Sequence, residues 1–365
     1  MTTVKNDLKY TPLYNKHLAL GARMVPFSGW QMPVQYAGII NEHNHTRTKA
    51  GLFDICHMGE FFLTGTSASR ELDRLVTCRI DDMSEGRCRY GFLLNENGGI
   101  IDDLIVFKIS QEKFKLVVNA GTLSKDREWI ENHVSSKDIF CDESDGIAKL
   151  DLQGPKSRDV INKLLGTNVA DDLKRYWFKY IDLAGERILF SRTGYTGELG
   201  YELFFPVSAA EKIWDTLIGS EEVNPIGLGA RDTLRLEMGY SLYGSDIDET
   251  HTPLESNLGK FVFMEKEFIG KPALLRQEEN GFKHILKGFI TDGRRSARNH
   301  FKVLSSEGEQ IGEVTSGAFS PCLKKGIGLC YIEKEFSATG SQIILTDGKT
   351  KIKAIISDTP FYKHG

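Results

Sequence analysis

Paired cysteine motifs are missing from this chain. Its six cysteines (Cys56, Cys78, Cys88, Cys141, Cys322 and Cys330) are scattered, with no CxxC and no zinc-like spacing. That pattern leaves reduced thiols as the expectation, rather than metal or disulfide chemistry. No apolar run approaches the roughly 18 residues that a membrane helix requires. The opening stretch MTTVKNDLKYTPLY lacks the apolar core of a secretory signal. A cytoplasmic protein with no membrane partner is therefore expected. A charge excess is missing too: Lys plus Arg is 46 and Asp plus Glu is 50, a formal charge of −4. Nucleic-acid binding leans on a basic field, so no nucleic-acid partner is expected. There is no internal repeat and no low-complexity segment.

What is present is ordinary globular material, with 40% hydrophobic and 26% charged residues over 365 positions. That length allows two or three domains and a core that needs no staple. Short strands mix with short helices, which favours an α+β chain. Strands are expected over Glu60–Leu63, Tyr90–Leu94, Ile100–Ile109, Phe114–Val118, Ile188–Phe190 and Tyr201–Phe205. Pro155–Leu165 reads as a helix opened by its proline, and Ser208–Ile218 as one opened by a Ser208/Glu211 capping box. The polar run Arg276–Gly281 reads as the main linker, giving a region over 1–275 and a second domain over 282–365. Beyond it, strands at Phe301–Leu304, Gln310–Thr315, Gly328–Ile332, Gln342–Leu345 and Lys351–Ile356 suggest a barrel or sandwich of roughly 80 residues.

Four segments carry side chains suited to chemistry. In Gly98–Val106, Asn97-Gly98 signals a hairpin, and Asp102 and Asp103 interrupt the apolar strand that follows. Strand residues alternate in direction, so one acid must sit among apolar neighbours, where an unpaired charge is costly. A solvated edge strand and a catalytic carboxylate weigh evenly on this observation alone. In Arg192–Glu202, glycines at every third position leave bare backbone for a planar ligand, although a plain hairpin loop explains them as well. In Gly227–Glu237, a turn feeds a helix that Asp232 or Thr233 is placed to cap. Arg231 there projects towards a ligand or forms a surface pair with Asp232 or Glu237. In Gly51–Gly59, Cys56 and His57 are adjacent, so on extended backbone they point apart and do not form a nucleophile–base pair.

Taken together with GARMVPFSGWQMPVQY (Gly21–Tyr36), EHNHTR (Glu42–Arg47), VVNAG (Val117–Gly121), LQGPKS (Leu152–Ser157), the extension to Gly244, VTSGAFSP (Val314–Pro321) and the closing Pro360-Phe361-Tyr362, these phrases resemble the T-protein (aminomethyltransferase) family of the glycine cleavage system. The match runs in order along nearly the whole chain. Two departures are Cys56, where the family usually has serine, and EMGY at Glu237–Tyr240, where EAG is commoner.

The resemblance implies interleaved ferredoxin-like units around a central folate channel, followed by a C-terminal β-barrel domain. It implies transfer of a methylene from an aminomethyl group on the lipoyl arm of an H-protein partner to tetrahydrofolate, with release of ammonia. By the same resemblance Asp103 is the catalytic carboxylate, Asp102 its structural neighbour, and Glu202 the bidentate acceptor for the pterin. Arg231 is implied as a folate contact, and Tyr90, Asn119, Tyr195 and Tyr362 as further folate-binding positions. Arg294, Arg295 and Arg298 read as a solvated basic turn or as an anchor for an anionic tail or carrier. Two other readings share the architecture: a folate-dependent demethylase of a small molecule, and a non-catalytic folate protein of iron–sulfur assembly. The latter carries a KGCY-type cysteine, and Phe268–Pro272 has none.

Overall fold

The computed structural model describes residues 8–363; the first seven residues of the opening stretch read for a signal lie outside them. The chain forms two compact units that alternate along the sequence. One takes residues 8–69, Asp82–Arg89 and Leu104–Asp232, and the other Arg70–Asp81, Tyr90–Asp103 and residues 233–363. The boundary therefore falls inside both strands of one hairpin, Cys88–Leu94 and Ile100–Ser110.

The first unit is built on a six-stranded sheet. Its order is Phe178–Leu183, Glu186–Ser191, Gly200–Pro206, Ile147–Gln153, Ala50–Asp54 and Val223–Pro225. Only the last pairing is parallel. Alternation along each strand sends Ala148, Leu150, Leu152, Tyr201, Leu203 and Phe205 into one core with Val160, Ile161, Ile213, Trp214 and Leu217 of the helices Ser157–Leu165 and Ala210–Ile218. On the opposite face, Leu189 and Phe204 pack with Cys88, Phe107 and Val117. Phe107 and Val117 come from a run in which residues 105–110 pair with Lys113–Val118, then Gly59–Thr64, then Phe140–Asp142.

The second unit holds the hairpin tip around Phe92, Leu94 and Ile100, packed on Ile247, Phe268 and Leu274. It also holds a closed barrel of His284–Thr291, Lys325–Glu333, Gln310–Ser320, Lys302–Leu304, Gln342–Thr346 and Lys351–Ser357. Closure leaves no unpaired edge, and Phe289, Val314, Cys330, Ile332, Leu345 and Ile356 fill the interior. The α+β class and the barrel are thus present. Among the described residues, no helix is long and apolar enough to cross a membrane.

Several local expectations differ. Residues 207–209 form a 3₁₀ turn, and the helix starts at Ala210 with no side-chain cap, so Ser208 and Glu211 make no capping box. Arg276–Asn280 is the last part of helix Lys271–Asn280, which Gly281 ends at φ 75°. Polar composition there marks a solvated helix face, not a linker. The helix after Gly227 begins at Leu228, leaving Asp232 and Thr233 inside it rather than at its cap. The first barrel strand, His284–Thr291, was not foreseen, because Lys287 and Gly288 break its apolar run.

Candidate active site

Strand Ile147–Gln153 carries the feature that organises the first unit. Its core-facing residues alternate with Lys149, Asp151 and Gln153, whose exposures are 0%, 0% and 1%. A polar strand face normally meets water; this one is covered and must find its partners inside the protein. Lys149 Nζ lies 2.7 Å from one oxygen of Glu60, and Lys115 Nζ lies 2.9 Å from the other. Two buried cations therefore share one buried carboxylate. Lys115 also sits 3.6 Å from the centroid of the Phe204 ring. Burial pulls its ammonium down to about 8, outweighing the attraction of Glu60.

Two residues further along, Asp151 stands directly opposite Glu202 of the neighbouring strand. Arg231 Nη1 donates to Asp151 Oδ2 at 3.0 Å, and Gln153 Nε2 donates to Asp151 Oδ1 at 2.6 Å. The Thr193 hydroxyl donates to Glu202 Oε2, and the Ser191 hydroxyl lies 2.6 Å from that of Thr193. The Arg231 guanidinium lies over the Tyr195 ring, 4.9 Å from its centroid. Burial, followed by the like charge of Glu202, lifts the Asp151 carboxyl to about 7.

The glycine-rich loop before Glu202 has a use that its composition did not reveal. A Cβ on Gly194 or on Gly200 would fall 2.2 Å from the Gln153 carboxamide. Gly194 and Gly200 make room for Gln153. Gln153 in turn donates to the Thr193 carbonyl at 3.0 Å and accepts from the Thr196 hydroxyl at 2.8 Å, fixing the loop to the strand.

Cys56 Sγ donates to the Lys149 carbonyl at 3.2 Å and accepts the Lys149 N–H at 3.3 Å. Burial pushes its thiol up, away from the thiolate that nucleophilic chemistry requires. His57 is buried against the edge of Phe27, and desolvation holds its imidazolium down to about 3, so the ring stays neutral. The pair is not a nucleophile and base.

In the second unit, the turn Asn95–Gly99 aims the strand that bears the two acids. The Asn95 side-chain carbonyl accepts the N–H groups of Asn97 and Gly99 at 2.9 and 3.0 Å. Gly98 takes φ 83°, and a Cβ on Gly99 would fall 1.9 Å from the Glu249 carbonyl oxygen. Asp102 is fully buried, whereas Asp103 is half-buried and accepts a hydrogen bond from the Tyr90 hydroxyl at 2.9 Å. The Tyr90 ring is held edge-on by Phe92 and Phe261.

Of the residues singled out from sequence, Glu202, Arg231 and Tyr195 thus converge with Asp151 in the first unit, and Tyr90 converges with Asp103 in the second. Asn119 follows strand Lys113–Val118 and accepts from Thr122 through its carbonyl. The Tyr362 N–H donates to the Glu237 carbonyl at 3.0 Å. Arg231 pairs with Asp151, 80 positions upstream, rather than in a surface pair with its helix neighbours. Asp151, Gln153 and Thr193 were missed. The alternation of IAKLDLQ was legible, but its polar face reads as solvated unless the covering sheet is known. Arg294 lies over Phe319, Arg295 donates to Thr350, and all three arginines of that turn are exposed.

The GCVT N-terminal domain matches residues 13–266, and the glycine cleavage T-protein C-terminal barrel domain matches residues 286–363. The chain belongs to the glycine cleavage T-protein family. Relatives within it include aminomethyltransferases of Halothermothrix orenii, 43% identical over 97% of this chain and 100% of that one, and of Bacteroides fragilis, 42% identical over 98% and 100%. The glycine cleavage system aminomethyltransferase T of Bartonella henselae has a similar solved structure, with a TM-score of 0.91 and 32% identity over 97% of this chain and 98% of that one. The T-protein C-terminal barrel domain coincides with the closed barrel of the second unit.

Proposed function

We propose that this T-protein family member is a tetrahydrofolate-dependent aminomethyltransferase. It takes the methylene of an aminomethyl group carried on a lipoylated H-protein and releases ammonia. The products are 5,10-methylenetetrahydrofolate and dihydrolipoyl H-protein. The family match over nearly the full length supports this, and one observation in the fold carries it: a buried carboxylate, Glu202, with an unspent oxygen. Glu202 is 6% exposed, and only its Oε2 accepts a side-chain hydrogen bond among the described residues. A buried acceptor of that kind fits a ligand with two adjacent N–H donors, such as a reduced pterin.

Bound folate supplies the nucleophilic nitrogen. The chain's own residues do the rest. Glu202 orients the pterin through its carboxylate, held by Thr193. Arg231, braced by Asp151 and Tyr195, offers a fixed cation to the folate. On the family pattern, Tyr195, Asn119, Tyr90 and Tyr362 are further folate contacts. Asp103, steadied by Tyr90, stabilises the positive charge that grows on the methylene carbon as the amine departs. Asp102 anchors the strand. The six free cysteines fit a reducing cytoplasmic compartment.

The purified protein, given tetrahydrofolate and aminomethyl-loaded H-protein, is expected to release ammonia and form methylenetetrahydrofolate in equal amounts. Failure to form either product, with loaded H-protein and folate shown to be competent, overturns the reading.

A further inference from the structure

The strand pairing places two carboxylates, Asp151 and Glu202, side by side on a buried sheet face. Asp151 has Arg231 and Gln153 on its two oxygens, and Glu202 has Thr193 on one. Phe53, which pairs with Asp151 on the other side, contributes no charge. The other titratable groups near the pair are Lys149 on the same strand, and Lys115, Glu60 and Cys88 from the covering sheet. His57 is neutral and buried. Lys149 and Lys115 pair with Glu60, and among the described residues Arg231 is the one cation bonded to the carboxylate pair. One guanidinium faces two acids.

We propose that Asp151 holds a proton beside the carboxylate of Glu202, and that folate engaging Glu202 displaces this proton to solvent. The inference rests on Glu202 being the pterin acceptor. Two N–H donors on Glu202 place positive partial charge where Asp151 now meets only a like charge. Repulsion on the ionised form of Asp151 falls, and its pairing with Arg231 strengthens. The Asp151 carboxyl passes from neutral to anionic, and its proton goes to water. Asp151 is thus a positioning residue, acting on the ligand through Glu202 and Arg231. The elevated proton affinity of Asp151, caused by burial and by Glu202, supports this assignment.

The test is titration calorimetry of the whole protein with tetrahydrofolate under argon, in two buffers of different ionisation enthalpy. At pH 7 the wild type is expected to release about half a proton per folate bound, because a group near neutrality is half protonated there. Affinity is expected to tighten about tenfold between pH 6 and pH 8. Asp151→Asn is expected to release no proton at pH 7 and to bind with affinity that does not vary over that range. Any release from Lys115 lies at higher pH and persists in the variant. If folate binds the wild type without proton release, the pair does not work this way, while the folate reading stands. Equal release from Asp151→Asn overturns it as well. If folate does not bind at all, the functional reading itself falls. The wild-type measurement is decisive even if the variant misfolds.

Discussion

Asp102 and Asp103 are neighbours in the chain and opposites in burial: Asp102 is fully enclosed, and Asp103 is half-buried with the Tyr90 hydroxyl 2.9 Å away. A buried strand acid serves the fold; a half-buried acid with an oriented donor is available to a reacting group. Asp103→Asn is therefore expected to cut turnover ~100-fold or more, the usual cost of removing one preorganised electrostatic group, while folding normally. Asp102→Asn is expected to lose stability more than turnover. Equal losses of turnover per folded molecule would show that the wrong acid was assigned.

Glu202→Gln keeps the shape and the Thr193 contact but replaces an acceptor oxygen by a donor. Hydrogen bonds to charged groups contribute about 1.5–3 kcal/mol, so tetrahydrofolate affinity is expected to fall roughly 10- to 100-fold. Direct calorimetry measures it. Unchanged affinity would remove Glu202 from the pterin site.

The Glu60–Lys115–Lys149 triad yields a prediction of stability with a definite sign. Burial pulls the Lys115 ammonium down to about 8 in the fold, from the ordinary lysine value of 10.5 in the unfolded chain. The unfolded chain thus binds the extra proton between those values, and this group's contribution to stability rises with pH across that window. At neutral pH the charged, buried ammonium costs about 3 kcal/mol by the same shift. Lys115→Met is expected to stabilise the protein at pH 7 by about 1–3 kcal/mol and to flatten the slope between pH 8 and 10. Glu60→Gln is expected to destabilise it by about 3–5 kcal/mol, because two buried cations lose their counter-ion. Urea unfolding across pH compares the three proteins.

Gly99 and Gly166 separate crowding from backbone strain. Gly99 would drive a methyl into the Glu249 carbonyl, whereas Gly166, at φ 63°, has nothing within 4 Å of a built Cβ. Gly99→Ala is expected to cost about 3 kcal/mol, at the top of the range for overpacking, and to displace the strand bearing Asp103. Gly166→Ala is expected to cost about 1 kcal/mol, the left-handed penalty alone. Thermal unfolding and turnover measure both; similar effects would mean that the hairpin turn yields easily.

How much was legible beforehand depended on whether a signal was local. Strands such as Ile100–Ser110 and Gly200–Pro206 announce themselves through β-branched and aromatic residues, and the glycine stops at Gly98 and Gly281 act within a few residues. Burial of the Lys149–Asp151–Gln153 face is not local. It arises from a sheet contributed by residues up to ninety positions away, so the alternation that marks a strand misidentifies which side is wet. The same holds for Arg231, whose partner Asp151 is invisible from its own helix. The strand argument correctly required one of the two adjacent acids to be buried, and only the three-dimensional fold showed that it is Asp102.

The alternation of the two units along the chain has a consequence during synthesis. The segment Tyr90–Asp103 belongs with residues that start at Thr233, about 130 positions later. At ribosomal speeds of roughly 5–20 residues per second, that segment emerges some 7–26 s before these companions exist. Both acids of the hairpin wait out that interval unsheltered, which makes nascent chains stalled before residue 233 the species most exposed to aggregation and to chaperone capture.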